Sequence, residues 1–116
     1  MSGVTADLGA VNGPIDGDGG VTHGELLLAF TNAVMAGDER AMTRERQALR
    51  AVLSDEEFVD VCGVIAAFNV VDRIADATGI PLDPMLSAMS ADVRQELDLT
   101  RFRSAANTPG VTAGEA

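Results

Sequence analysis

Residues 55–78, DEEFVDVCGVIAAFNVVDRIADAT, run without a proline between a helix-start signal and a helix-stop signal. No other stretch constrains the fold as much. Ser54 and Glu57 stand at the reciprocal capping-box spacing, and Asp55, Glu56 and Glu57 suit the positive end of a helix. Gly79 fits a left-handed closing position, and Ile80-Pro81 forbids continuation. At about 100° per residue, Asn69, Asp72, Arg73 and Asp76 share one sector, which Phe58, Cys62 and Ile65 continue toward the N-terminus. Val64, Ala67, Val71 and Ile74 lie opposite. A helix apolar nearly all round is expected at the centre of its fold or sandwiched between subunits, its polar groups facing protein or a cavity.

Helix signals recur on either side. Thr22 and Glu25 have capping-box spacing before LLLAFTNAVMA, and Gly37 can close that helix. Asp38 can cap ERAMTRERQALRAVL, whose mixed charges suit a solvated face or a polar subunit contact. Asp83 caps a restart with Pro84 at the first helical position, and a short helix is expected from about Ser90 to Leu97. No segment alternates with a period of two, so the fold class is all-α. The expected organisation is a flexible, Gly- and acid-rich leader over residues 1–21, a helical domain over 22–106 and a flexible tail over 107–116. DGDGG in the leader lacks the regular oxygen ligands and closing Glu of a calcium loop, and no metal site or cofactor is expected.

Composition narrows the partners. Eight basic residues, all Arg, face eighteen acidic ones for a net charge of −10, which disfavours nucleic acid and anionic membranes. No apolar run has membrane-spanning length, and no basic start precedes an apolar stretch; the expectation is a soluble, cytoplasmic protein. With four Phe and no Trp or Tyr, the core must come from small aliphatic side chains that bury little area each. An isolated subunit looks thin, and burial against other subunits is expected.

The polar row carries the candidate chemistry. Arg73 cannot lose its proton and needs a carboxylate or several acceptors, with Asp76 the better-spaced partner and Asp72 the other. Asn69, one turn earlier, can donate and accept. These groups form either a structural network fixing helix register or the wall of a small-molecule pocket. His23, the one histidine, lies in the first turn of a helix, where the positive end disfavours imidazolium; a dyad with Asp72 or Asp76 is the weak catalytic alternative to a plain surface role. Cys62, the one cysteine, has apolar neighbours and reads as an inert structural thiol. Met85 and Met89, one turn apart, read as packing or interface residues.

LSDEEFVDVCGVIAAFNVVDRIADATGIPLD, Leu53–Asp83, resembles the alkylhydroperoxidase D-like branch of the carboxymuconolactone decarboxylase superfamily. The resemblance rests on the acidic capped start, the Phe68-Asn69 pair, Arg73 four residues after Asn69, and the closing Ala75-Asp76-Ala77-x-Gly79-x-Pro81. ELLLAFTNAVMAGD, Glu25–Asp38, is similar to the preceding family helix. The resemblance implies an all-α subunit of an obligate oligomer, usually a trimer or hexamer. Peroxidase members of that branch use Cys-x-x-Cys-x-x-x-His with an upstream Glu; here no cysteine precedes Cys62, so the chain looks like the back half of the family domain without its redox half.

The leading expectation is therefore a non-redox alkylhydroperoxidase D-like helical subunit that self-associates or packs on a related partner subunit. The alternative is an enzyme of the carboxymuconolactone decarboxylase type acting on a small carboxylate or lactone, with Arg73 gripping the carboxylate, Asn69 orienting it, and Asp72, Asp76 or His23 moving protons. A remote third is an antioxidant peroxidase acting through Cys62.

Overall fold

The computed structural model describes residues 5–11 and 17–111. Residues 1–4 and 12–16 of the expected leader and 112–116 of the expected tail lie outside the described residues. Among the described residues every regular element is helical and no strand occurs, which agrees with an all-α chain. The α-helices are α1 (Gly24–Ala36), α2 (Glu39–Arg50), α3 (Asp55–Thr78), α4 (Pro84–Met89) and α5 (Ala91–Glu96). Short 3-10 turns occur at Leu8–Val11, Leu99–Arg101 and Arg103–Asn107. No described helix is long and apolar enough to cross a membrane. The chain divides into two compact units within α3, the first ending at Phe68 and the second starting at Asn69.

The first unit is built on a helical hairpin of α1 and α2. Gly37 adopts φ 67°, which costs glycine little, and closes α1: its N–H donates to Val34 O at 3.1 Å and the Asp38 N–H to Ala33 O at 3.2 Å. Asp38 then caps α2, with Oδ1 accepting from the N–H groups of Arg40 and Ala41, each at 3.0 Å. Two residues thus reverse the chain, and α1 packs on α2. Phe30 and Ala33 of α1 and Leu49 of α2 are the described apolar side chains that become buried, Leu49 completely.

The start of α1 differs from the sequence expectation. Thr22 does not cap it. His23 takes the N-cap position at φ 59° with no side-chain capping bond, and its carbonyl accepts from Leu27 N–H at 3.0 Å. Asp18 takes over the capping: its Oδ1 accepts from Glu25 N–H at 3.2 Å. The reason is the close pass of the 17–22 turn, whose Asp18 carbonyl occupies the space that a Cβ on Gly24 would need. A Thr22 cap would require the preceding chain to run elsewhere.

At the start of α3 the expected capping box forms in full. Ser54 N–H donates to Glu57 Oε2 at 2.8 Å, and Glu57 N–H donates to Ser54 Oγ at 3.2 Å. The Ser54 N–H, then the Ser54 hydroxyl, hold the Glu57 carboxyl below the usual carboxylate range, and the charge of His23 adds to the same direction. A lowered folded-state pKa stabilises above the unfolded value, and that contribution is lost as pH falls through the folded value, on the acid side of the ordinary glutamate range. Ser54→Ala is expected to cost about 1 kcal/mol at neutral pH. The loss should shrink in acid only by the share that the Ser54 hydroxyl contributes to the ionised Glu57 carboxylate, because the bond from Glu57 N–H to Ser54 Oγ is lost at any pH. Urea midpoints at neutral and acid pH check both parts.

The second unit contains the end of α3, α4, α5 and the two C-terminal 3-10 turns. Gly79 at φ 64° ends α3 as expected, with Ile80 N–H donating to Ala75 O at 3.2 Å and Gly79 N–H to Asp76 O at 3.3 Å. Asp83 caps α4 by accepting from Met85 N–H at 2.8 Å, with Pro84 in the first turn. α4 packs on α5, and α5 on the 3-10 turn at Leu99–Arg101. The segment expected to be loose from Asn107 onward contributes the buried polar side chain of this unit. Thr108 is 7% exposed and its Oγ1 accepts from Leu82 N–H at 3.0 Å, which satisfies a backbone donor beside Pro81.

The sequence places α3 at the centre of the fold or between subunits, and within the single chain the first of these does not hold. None of its side chains is fully buried. Phe58, Val61, Cys62, Ile65 and Asn69 form a half-buried stripe at helical spacing, and Phe58 meets Phe30 of α1 with ring centroids 5.5 Å apart. The other side stays open: Val59, Val64, Phe68, Val70, Val71 and Ile74 are each between 56% and 66% exposed. The physical cause is supply. α1 and α2 spend their apolar faces on each other, and four Phe with small aliphatic side chains leave nothing to cover a second side of α3.

Candidate functional site

The polar row of α3 is an open network. Arg73 Nε donates to Asn69 Oδ1 at 2.8 Å, the neighbour one turn back, and not to Asp76 or Asp72. The guanidinium, Asp72 and Asp76 are exposed and Asn69 is half-buried. Among the described residues the ion pairs are Arg44–Glu45 and Arg50–Asp55, both 2.7 Å, so Arg73 has no carboxylate partner. The expected Arg73–Asp76 pair is replaced for a simple reason: exposed to water, Arg73 has no burial penalty for a carboxylate to offset. Among the described residues, neither of the two best-formed clefts is lined by Asn69, Asp72 or Arg73.

The cleft of the second unit has a volume of about 320 Å³ and takes in one residue of the polar row, Asp76. Arg94 of α5, Thr100, Ser104 and Asn107 supply its other main polar groups, and Ile80, Leu82, Leu99 and Phe102 its apolar wall. Arg94 is half-buried and held by a relay: its Nη1 donates to Ser90 Oγ, which donates to Leu86 O at 2.6 Å. Arg101 stands over the Phe102 ring at 4.9 Å, fixing the edge of the wall. The close approach of Asn107 to Gly79 draws the C-terminal segment against the end of α3.

Sequence reasoning did not single out Arg94, Asn107 or Thr108. For Arg94 a signal existed, since it sits one turn after Ser90 between Val93 and Leu97 in a short amphipathic segment. For Thr108, whose partner Leu82 is distant along the chain, nothing local could have shown it.

The remaining candidates fall in the first unit. His23 is half-buried at the N-terminal end of α1 in the first unit, whereas Asp72 and Asp76 belong to the second unit. Cys62 is a free, half-buried thiol in the packed stripe of α3. Among the described residues no group of His, Cys, Asp and Glu is arranged to hold a metal ion. A second cleft, of about 350 Å³, opens between Leu8, Val21, Leu27 and Leu28, where Asp7 N–H donates to Gly19 O at 2.8 Å. Comparison with known proteins identifies no matching family model, no matching curated protein and no matching solved structure.

Proposed function

We propose that this chain is a non-redox helical subunit, of the alkylhydroperoxidase D-like kind its sequence resembles, that self-associates through α3. The observation that carries the reading is the uncovered side of that helix. At about 100° per residue, Val59, Val70, Ile74, Val71, Val64 and Phe68 follow one another around roughly half of its circumference. Their exposed area is on the order of 600 Å², at the upper end of what monomers leave in water and near one partner's share of a standard interface.

The surface fits a second copy of the same chain. From Gly63 to Ile74 this side carries no charge, while Glu56 and Asp60 share it with Val59 nearer the N-terminus, so its middle is the part of a −10 chain where two copies can meet without repulsion. Gly63 and Ala67 lie among the larger side chains, and nothing stands within 4 Å of where a Gly63 Cβ would be. Hollows beside bumps on one neutral face are self-complementary across a twofold axis. A basic partner would instead be drawn to the acidic faces. The test is dilution: light-scattering mass should stand above the 12.0 kDa of one chain and fall toward it on dilution. A folded chain that stays at 12.0 kDa when concentrated removes the reading.

A further inference from the structure

We propose that the cleft of the second unit binds a small zwitterion with an apolar side chain, a ligand of the α-amino-acid class. Asp76 and Arg94 line the same cleft of about 320 Å³, yet no ion pair joins them. Among the described residues, Arg94 makes one side-chain hydrogen bond, to Ser90, which leaves most of the five donors of a guanidinium unused. No described side chain bonds the Asp76 carboxylate. Two opposite charges that share a cleft without satisfying each other match a ligand that carries both.

Each simpler ligand class leaves a fault. A plain carboxylate would pair with Arg94 but face Asp76 and the acidic chain around it. A plain amine would suit Asp76 and leave the guanidinium forked at nothing. An α-amino acid places its carboxylate on Arg94 and its ammonium toward Asp76. Its side chain then covers Ile80, Leu82, Leu99 and Phe102, of which Ile80 and Phe102 are 60% and 46% exposed without it. The volume is at the small end of ligand cavities, roughly 300–1,000 Å³, and admits one small molecule. The Arg94–Ser90–Leu86 relay holds the guanidinium in place beforehand, which lowers the ordering cost of binding. This site does not depend on self-association through α3.

The experiment is calorimetric titration of the full chain with L-leucine, 4-methylpentanoate and 3-methylbutylamine. The last two carry only the carboxylate or only the amine on a similar apolar tail. Leucine is expected to bind in the millimolar range or tighter, and each analogue about tenfold or more weakly. Arg94→Gln and Asp76→Asn should each weaken leucine by a similar factor. Arg94→Lys keeps the charge and loses the fork, so it should weaken binding even if Arg94→Gln perturbs folding. Absence of leucine binding at millimolar concentration, equal binding of either analogue, or indifference of leucine to all three variants would overturn the proposal.

Discussion

Phe68→Asp is expected to reduce the assembly to single chains of 12.0 kDa at concentrations where the unsubstituted protein is associated. The argument rests on a difference between two states of one side chain. In the lone chain Phe68 is 65% exposed, so a carboxylate there meets water and costs the subunit little beyond a small change in helix propensity. Between two copies of α3 the same carboxylate is buried without a partner, a penalty of about 3–5 kcal/mol. That corresponds to a weakening of association by about two to four orders of magnitude. Val71→Asp, on the same side and similarly exposed, should act alike, and Asp72→Asn on the polar row should leave the mass unchanged. Full association of both Asp variants would mean that α3 is not the contact.

The largest effect on the subunit itself is expected from Leu49→Ala. Leu49 is 0% exposed, on the inner side of α2 where it meets α1. Truncating a fully buried leucine removes its transfer free energy and leaves a cavity, at about 2–5 kcal/mol. Here Phe30 and Ala33, at 4% and 6% exposed, are the other described apolar side chains that are buried, so few neighbours can collapse into the space. With a urea dependence of about 1–3 kcal/mol/M for small proteins, the unfolding midpoint should drop by about 1 M or more. Val52→Ala is the control, because Val52 is already 43% exposed and has less burial to lose. Comparable midpoints for the two variants would show that the α1–α2 hairpin is not where the first unit's stability resides.

The local parts of the fold were legible because capping is decided by neighbours along the chain. Asp38, Ser54 with Glu57, Asp83 before Pro84, and the closing glycines Gly37 and Gly79 all act within five residues, and each does what its spacing predicts. Thr22 failed because its competitor, Asp18, reaches α1 through a turn whose path no propensity encodes. The pattern on α3 showed which residues share a side; it could not show what each side meets. The stripe Phe58–Cys62–Ile65 lies against its own chain, and the opposite side, Val64–Val71–Ile74, finds no cover in it.

The site was less legible than the helices. Asn69 and Arg73 do bond at their helical spacing, but exposure makes that bond a surface feature rather than the wall of a pocket. Asp76 reached a cleft in the company of Arg94 and Asn107, residues from α5 and the C-terminal turn. That grouping depends on Thr108 reaching back to Leu82, a tertiary contact with no local sequence signature.

Sedimentation equilibrium of the unsubstituted protein, followed together with its helical circular dichroism, weighs most heavily on these conclusions. Burial of the open flank of α3 by copies of itself predicts a mass that is a whole multiple of 12.0 kDa when concentrated and declines toward one chain as the solution is thinned. A single 12.0 kDa species with undiminished helicity across the whole range would contradict it.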